Sequence, residues 1–273
     1  MRLYKIGFAT LLLLSAFPGV SSAQPAANAL IVTEGMSVID TDNTNLSSKL
    51  TSAGFTVTSS AGVPGGSLAT YQQIWDTRFN EIALSGSDIT AYTTYLAGGG
   101  NLFLMGENSG FAVRNNSIVS FIAAVGGGTI ALTTPANTVT VQSPFATGIT
   151  NPFTFHVANG THSHGTYGAI AVDATGIAPA IVYGPGSMAS APAGSLIVVF
   201  DLNFLGTNAD ANSQQLTVNL ISYLAAPVVV PPFNPPLPPV GPALPTWAFF
   251  VLATGLICIA YRRMGKTRRE FVG

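Results

Sequence analysis

Cysteine is almost missing from this sequence, and charge is scarce. The only cysteine, Cys258, falls in an apolar run near the C-terminus. The rest of the chain therefore has neither a disulfide nor a thiol nucleophile, and it has to fold on its own hydrophobic core. Basic residues are the rarest class in the body. Residues 24–245 hold ten acids against three bases (Lys49, Arg78 and Arg114), a net charge of −7. Three scattered cations cannot build a basic patch, which excludes nucleic acid and anionic lipid as partners of this part. The sequence also lacks a P-loop, a dinucleotide Gly-x-Gly-x-x-Gly and a His-Glu-x-x-His. Its two Gly-Gly-Gly runs, at 98–100 and 126–128, follow helical patterns rather than strands, so they read as helix stops and not as phosphate cradles.

Long apolar runs occur only at the two ends. Arg2 and Lys5 precede an apolar stretch from Ile6 to Leu14, and small residues ending in "SSAQ" follow. This is the three-part pattern of a secretory signal peptide, with cleavage expected after Ala23. The body, 24–226, is then expected to be exported. Residues 227–245, "PVVVPPFNPPLPPVGPALP", hold nine of the 18 prolines. Such a segment forms neither ladder nor helix, and it reads as an extended stalk. The run 246–263 is apolar up to Arg262, and a basic tail, 264–273, follows. A span needs about 20 apolar residues, and a basic cluster after it stays in the cytoplasm. The expectation is one C-terminal transmembrane helix, with the membrane as a partner and the domain outside the inner membrane.

Pro242, the run Leu244, Pro245, Thr246 and Trp247, the apolar stretch, and Arg262 with Arg263 resemble the C-terminal sorting signals of bacterial surface proteins, the PEP-CTERM and IPTL-CTERM class. Trp247 stands where the Ile-Pro-Thr-Leu type has Leu. The resemblance implies an exosortase-type sorting protease as partner and release to the cell surface or extracellular matrix.

In the body, strand and helix patterns alternate. "ALIVTEG" (29–35) is continuously apolar, as a strand buried on both faces must be. A helix with Leu46 and Leu50 on one face is expected next, then strands at 55–59 and 71–78. A second helix is expected with Ser87 as its N-cap. The strand "NLFLM" (101–105), a helix over 115–128 and a strand over 129–132 follow. Short antiparallel strands are expected over 137–184, then an apolar strand from Ser195 and a closing helix with Leu216, Leu220 and Leu224 on one face. This order predicts an α/β fold with a doubly wound, mostly parallel sheet of the flavodoxin-like type, carrying a short β-rich insertion.

Four segments carry a further resemblance: "ALIVTEG", "YLAGGGNLFLMGENSG", "SPFATGITNPFTFHV" and "IVVFDLNFLGTNADANSQQLTVNLISYL". Together they resemble the class I glutamine amidotransferase-like fold, including ThuA-like domains. In amidotransferase members, the turn after "NLFLM" carries the catalytic cysteine. Here the bracketing glycines are Gly106 and Gly110, and the position between them is Asn108. An amide cannot attack an acyl carbon, so the elbow reads as degenerate.

Two other clusters could carry chemistry. Glu34, Asp76, Glu107 and Asp201 each fall at the C-terminal end of an expected parallel strand, the edge where open α/β sheets bind ligands. Four carboxylates there would suit a divalent cation or sugar hydroxyls, whereas acids at strand ends also cap the loops that follow. His156, His162 and His164 form the second cluster, with zinc-like spacing in a Gly- and Asn-rich segment. Two functions follow. One is a non-catalytic surface or matrix protein that binds an envelope glycan or a protein. The alternative is an exported metal-dependent hydrolase built on the acids or the histidines.

Overall fold

The computed structural model describes residues 27–34, 40–155, 158–162, 165–201, 203–206 and 209–226. Its centre is a nine-stranded sheet. The parallel half is made by β1 (Ala27–Thr33), β2 (Phe55–Ala61), β3 (Gln73–Asp76), β4 (Asn101–Met105) and β11 (Ser195–Val199). Ile31 of β1 faces Ser59 of β2 and Trp75 of β3, and Phe103 of β4 faces Trp75 and Ile197. The order β2-β1-β3-β4-β11 has its switch point between β1 and β3, where the chain changes direction across the sheet.

Four helices cover this half on both sides: α1 (Asp40–Ser52), α2 (Gly86–Ala97), α3 (Ala112–Ala124) and α4 (Ala211–Ala225). The strands are apolar throughout because alternate residues feed two separate cores. Ile31, Trp75, Phe103 and Ile197 pack with Leu46 of α1 and Leu220 of α4. Leu30, Ile74, Leu102 and Leu196 pack on the other side with Leu96 of α2 and Phe121 of α3. The rings of Trp75 and Phe103 stack at 4.5 Å on the first side. The parallel half is thus covered by helices on both faces, within a mixed α/β fold built on one large sheet.

The region between α3 and β11 departs from expectation in extent. Here β6 (Thr138–Val141), β7 (Phe153–Thr154), β9 (Gly168–Asp173) and β10 (Ala180–Tyr183) continue the same sheet in the order β11-β10-β9-β6-β7, every pair antiparallel. Connections without a crossover helix force that sense, so the sheet is parallel in one half and antiparallel in the other. The strand expected over 129–132 shrinks to β5 (Leu132–Thr133), paired with β8 (Gly160–Thr161) in a small separate sheet.

Two further expectations need correction. Helix α2 is capped by Ser85, not Ser87. The Ser85 side chain accepts from the Asp88 N–H while the Asp88 carboxylate accepts from the Ser85 N–H, a reciprocal capping box. The fold-class expectation of a transmembrane helix, and with it the membrane as a partner, is also corrected. No helix among the described residues is long and apolar enough to cross a membrane, and the structure seen is the α/β sheet and its helices alone. The run 246–263 that prompted the expectation lies outside the described residues, as do 1–23, the segment 227–245 and the sorting-type motif.

Candidate functional site

The C-terminal ends of the parallel strands place Glu34, Asp76, Glu107 and Asp201 along one edge of the sheet. Asp76 ends β3 and is fully buried. Arg78 grips it from two residues on: Nη2 donates to Oδ2 at 2.6 Å, and Nε to Oδ1 at 2.9 Å. The Tyr92 hydroxyl, from α2, donates to Oδ2 at 2.9 Å. From α3 comes Arg114, fully buried, with Nη2 at 3.1 Å from Oδ1. That is a charge contact rather than an aligned hydrogen bond, because the guanidinium is held by Nε donating to the Met105 carbonyl. Arg78 also reaches Asp88 at 3.3 Å, linking the network to the cap of α2.

Burial alone would push the Asp76 carboxyl up, but Arg114, Arg78 and the Tyr92 hydroxyl together hold it below the usual carboxylate range. Tyr92 is pushed well above the ordinary phenol value by its burial and by the Asp76 charge beside it. Two of the three cations in the body are thus spent on one buried acid. A metal ion beside Asp76 would meet two guanidinium groups, so the donor set around it does not suit a cation.

The Gly-bracketed turn after β4 is built from local hydrogen bonds. The Asn108 side chain accepts from the Gly110 N–H at 2.9 Å and donates to Glu107 Oε1 at 3.0 Å. Asn115 of α3 clips the turn from below, accepting from the Glu107 N–H at 2.9 Å and donating to the Glu107 carbonyl at 2.7 Å. Gly106 is required for close approach: a Cβ there would stand 2.5 Å from the Phe200 ring and 2.8 Å from Asn115 Oδ1. The position of an elbow nucleophile is therefore held by an amide engaged in an Asx turn.

The remaining acids serve their own loops in the same way. Glu34 Oε1 accepts from the backbone N–H groups of Phe79 (2.6 Å) and Asn80 (2.7 Å), fastening the loop after β3 to the end of β1. Asp201 Oδ1 accepts from the Asn203 N–H at 2.8 Å and its side-chain amide at 3.0 Å. Among the described residues no group of three or more His, Cys, Asp or Glu side chains could hold a metal ion. His162 is exposed, and His156 and His164 lie outside the described residues.

Sequence reasoning did not find Arg78, Tyr92, Asp88, Arg114 or Asn115 as parts of this edge. One signal was available. In a body with three cations, an Arg two residues beyond an acid that ends an apolar strand is an ion-pair candidate.

A second concave feature lies at the opposite, N-terminal edge of the parallel strands, a cleft of about 540 Å³ between the C-terminal turns of α2 and α4. Tyr71, Gln72, Tyr95 and Asn101 line it together with glycines 98–100.

No protein-family model matches the chain, and no curated protein is significantly similar to it in sequence. Solved structures are similar to it. The mmIFT52 N-terminal domain matches with a TM-score of 0.56 and 11% identity, over 74% of this chain and 98% of that one. A cold-adapted β-galactosidase from Rahnella sp. R3 matches with a TM-score of 0.46 and 13% identity, over 73% of this chain and only 31% of the enzyme. A ThuA-like protein from Parabacteroides merdae matches with a TM-score of 0.44 and 10% identity, over 74% of this chain and 91% of that one. At 11% identity the first likeness is one of fold alone, a mixed α/β domain built on a large sheet.

Proposed function

We propose that this is a non-catalytic binding domain, exported to the cell surface or extracellular matrix, where it engages an envelope glycan or a protein. The observation that carries the reading is the Asp76 network. At the edge where α/β folds place their chemistry, the fully buried Asp76 is neutralised by two arginines, and the elbow position holds Asn108 in a structural turn. A general base or metal ligand needs a free lone pair facing a cleft, and Asp76 offers none. Export rests on the pattern of residues 1–23, and delivery to the surface on the sorting-type motif of residues 242–263.

The test has two arms. The full chain is expressed in a bacterial host and probed on intact cells and in the medium with an antibody. The purified chain is then assayed on ester, amide and glycoside substrates and for retention on immobilised envelope polysaccharide. Surface or released protein that is retained without turnover is the expected result. Turnover of any substrate that is lost in Glu107→Gln, or protein confined to the cytoplasm, overturns the reading.

A further inference from the structure

The cleft at the N-terminal edge is separate from the acid-lined edge, and its chemistry is unusual for this chain. Among the described residues, no Asp, Glu, Lys, Arg or His lines it. Its walls include the C-terminal turns of two helices, α2 through Thr94, Tyr95 and Gly98, and α4 through Leu224 and Ala225. The negative ends of two helix dipoles therefore meet at one opening, with no cation among its described lining residues to offset them. An anionic ligand is disfavoured there, and a ligand rich in O–H donors is favoured.

The side chains point to the same class. Tyr95 forms a fixed floor: its hydroxyl donates to the Tyr71 carbonyl at 3.1 Å and lies 3.3 Å from the Asn101 carbonyl. Gly100 has to be glycine because a Cβ would lie 2.4 Å from that ring. Beside this floor, Tyr71 is half-buried and carries an aromatic ring and a phenol, and Gln72 is exposed and carries an amide with both a donor and an acceptor. Neither the Tyr71 phenol nor the Gln72 amide has an intramolecular hydrogen-bond partner among the described residues. An aromatic ring beside free amide and hydroxyl groups, with no charge, suits a polyhydroxylated ligand whose C–H faces stack and whose hydroxyls both give and accept. The volume falls within the range of about 300–1,000 Å³ usual for small-molecule sites.

We propose that this cleft binds a neutral oligosaccharide, with the Tyr71 ring as the stacking platform and the Tyr71 hydroxyl and Gln72 amide as the polar contacts, while Asn101 braces the wall by donating to the Gln72 carbonyl at 3.3 Å. The assignment rests on the glycan arm of the proposed function and places it at the edge of the sheet that carries no candidate chemistry.

The experiment is calorimetric titration of the full chain with cellotetraose, maltotetraose, chitotetraose and the anionic tetragalacturonate. At least one neutral tetramer is expected to bind, and tetragalacturonate about tenfold more weakly or not at all. Tyr71→Ala and the exposed, fold-neutral Gln72→Ala are each expected to weaken binding about tenfold, and Ser109→Ala at the opposite edge is expected to leave it unchanged. Neutral saccharide binding that survives both cleft variants overturns the location while leaving the binding function standing. Binding of tetragalacturonate in preference to the neutral tetramers, or of no tetramer at all, overturns the inference. In the last case the proposed function retains only its protein partner.

Discussion

Arg114 Nη2 lies 3.1 Å from Asp76 Oδ1, and neither side chain is exposed to solvent. The pair joins α3 to the end of β3 beneath the edge where the fold would hold a ligand. Removing one charge leaves the other buried without full compensation, which costs about 3–5 kcal/mol, whereas removing both leaves only Arg78 to be compensated, and it still reaches Asp88 at 3.3 Å. Arg114→Met and Asp76→Asn are each expected to lower stability in urea by an amount in that range. The double variant is expected to lose clearly less than the sum, because one removal relieves the need for the other. Strict additivity in this cycle would mean the contact is incidental.

The capping box at α2 gives a smaller and sharper prediction. Ser85→Ala deletes the acceptor for the Asp88 N–H, and loss of a side-chain N-cap costs about 1 kcal/mol. Ser87→Ala, one turn position further in, is expected to change stability by less than about 0.5 kcal/mol. Amide exchange of the Asp88 N–H checks the cause, since it is expected to speed up in Ser85→Ala alone. Equal effects from the two serines would return the cap to Ser87, where the sequence pattern puts it.

That small error illustrates what was legible. The parallel strands could be read because each is buried on both faces, so Leu102, Phe103 and Leu104 are all apolar and no other element explains such a run. The helix faces around Leu46 and Leu220 followed from spacing. The antiparallel half was blurred because strands such as Phe153–Thr154 and Gly160–Thr161 are two residues long and show no period. At the acid edge, Glu34, Asp76, Glu107 and Asp201 stand at or just beyond strand ends, a position that a local pattern can show. Their partners were not visible because Tyr92 and Arg114 arrive from two other helices, and no local pattern encodes a contact made only by folding. The cleft had no sequence signal, since uncharged residues from two helix ends and two strand starts converge there.

Acid sensitivity is expected from two carboxylates. Asp173 Oδ1 accepts from the Thr175 N–H and hydroxyl and the Ile177 N–H, and Oδ2 accepts from the Ala136 N–H. Its side chain is covered by this turn rather than sunk in the core. Burial raises its pKa, but the donors outweigh that effect and bring it down to about 2. Asp76 is also depressed. A carboxylate with a folded pKa below its unfolded value of about 3.9 contributes stability that is fully present above that value and is lost as pH falls toward the folded one. Urea midpoints are therefore expected to be flat from pH 7 to 5 and to drop between about pH 4 and 2. Asp173→Asn should flatten part of that drop while costing stability at pH 7. An unchanged pH profile in Asp173→Asn would assign the whole effect to Asp76.

The glycines bracketing the degenerate elbow should not behave alike. A Cβ on Gly106 would stand 2.5 Å from the Phe200 ring, a fully buried side chain with no room to retreat, and 2.8 Å from Asn115 Oδ1, which is already bonded to the Glu107 N–H. Overpacking of this kind costs about 1–3 kcal/mol. A Cβ on Gly110 would meet only Asn108 Oδ1, at 3.0 Å, in an exposed turn that can shift by a few tenths of an ångström. Gly110→Ala is expected to stay within about 0.5 kcal/mol of the parent chain. In a nucleophile elbow both glycines would be needed to keep the turn tight around a reactive side chain, and the two substitutions would do comparable damage. A large cost at Gly106 with almost none at Gly110 marks this turn as a packing device beneath Phe200, and equal costs would reopen its reading as a strained elbow.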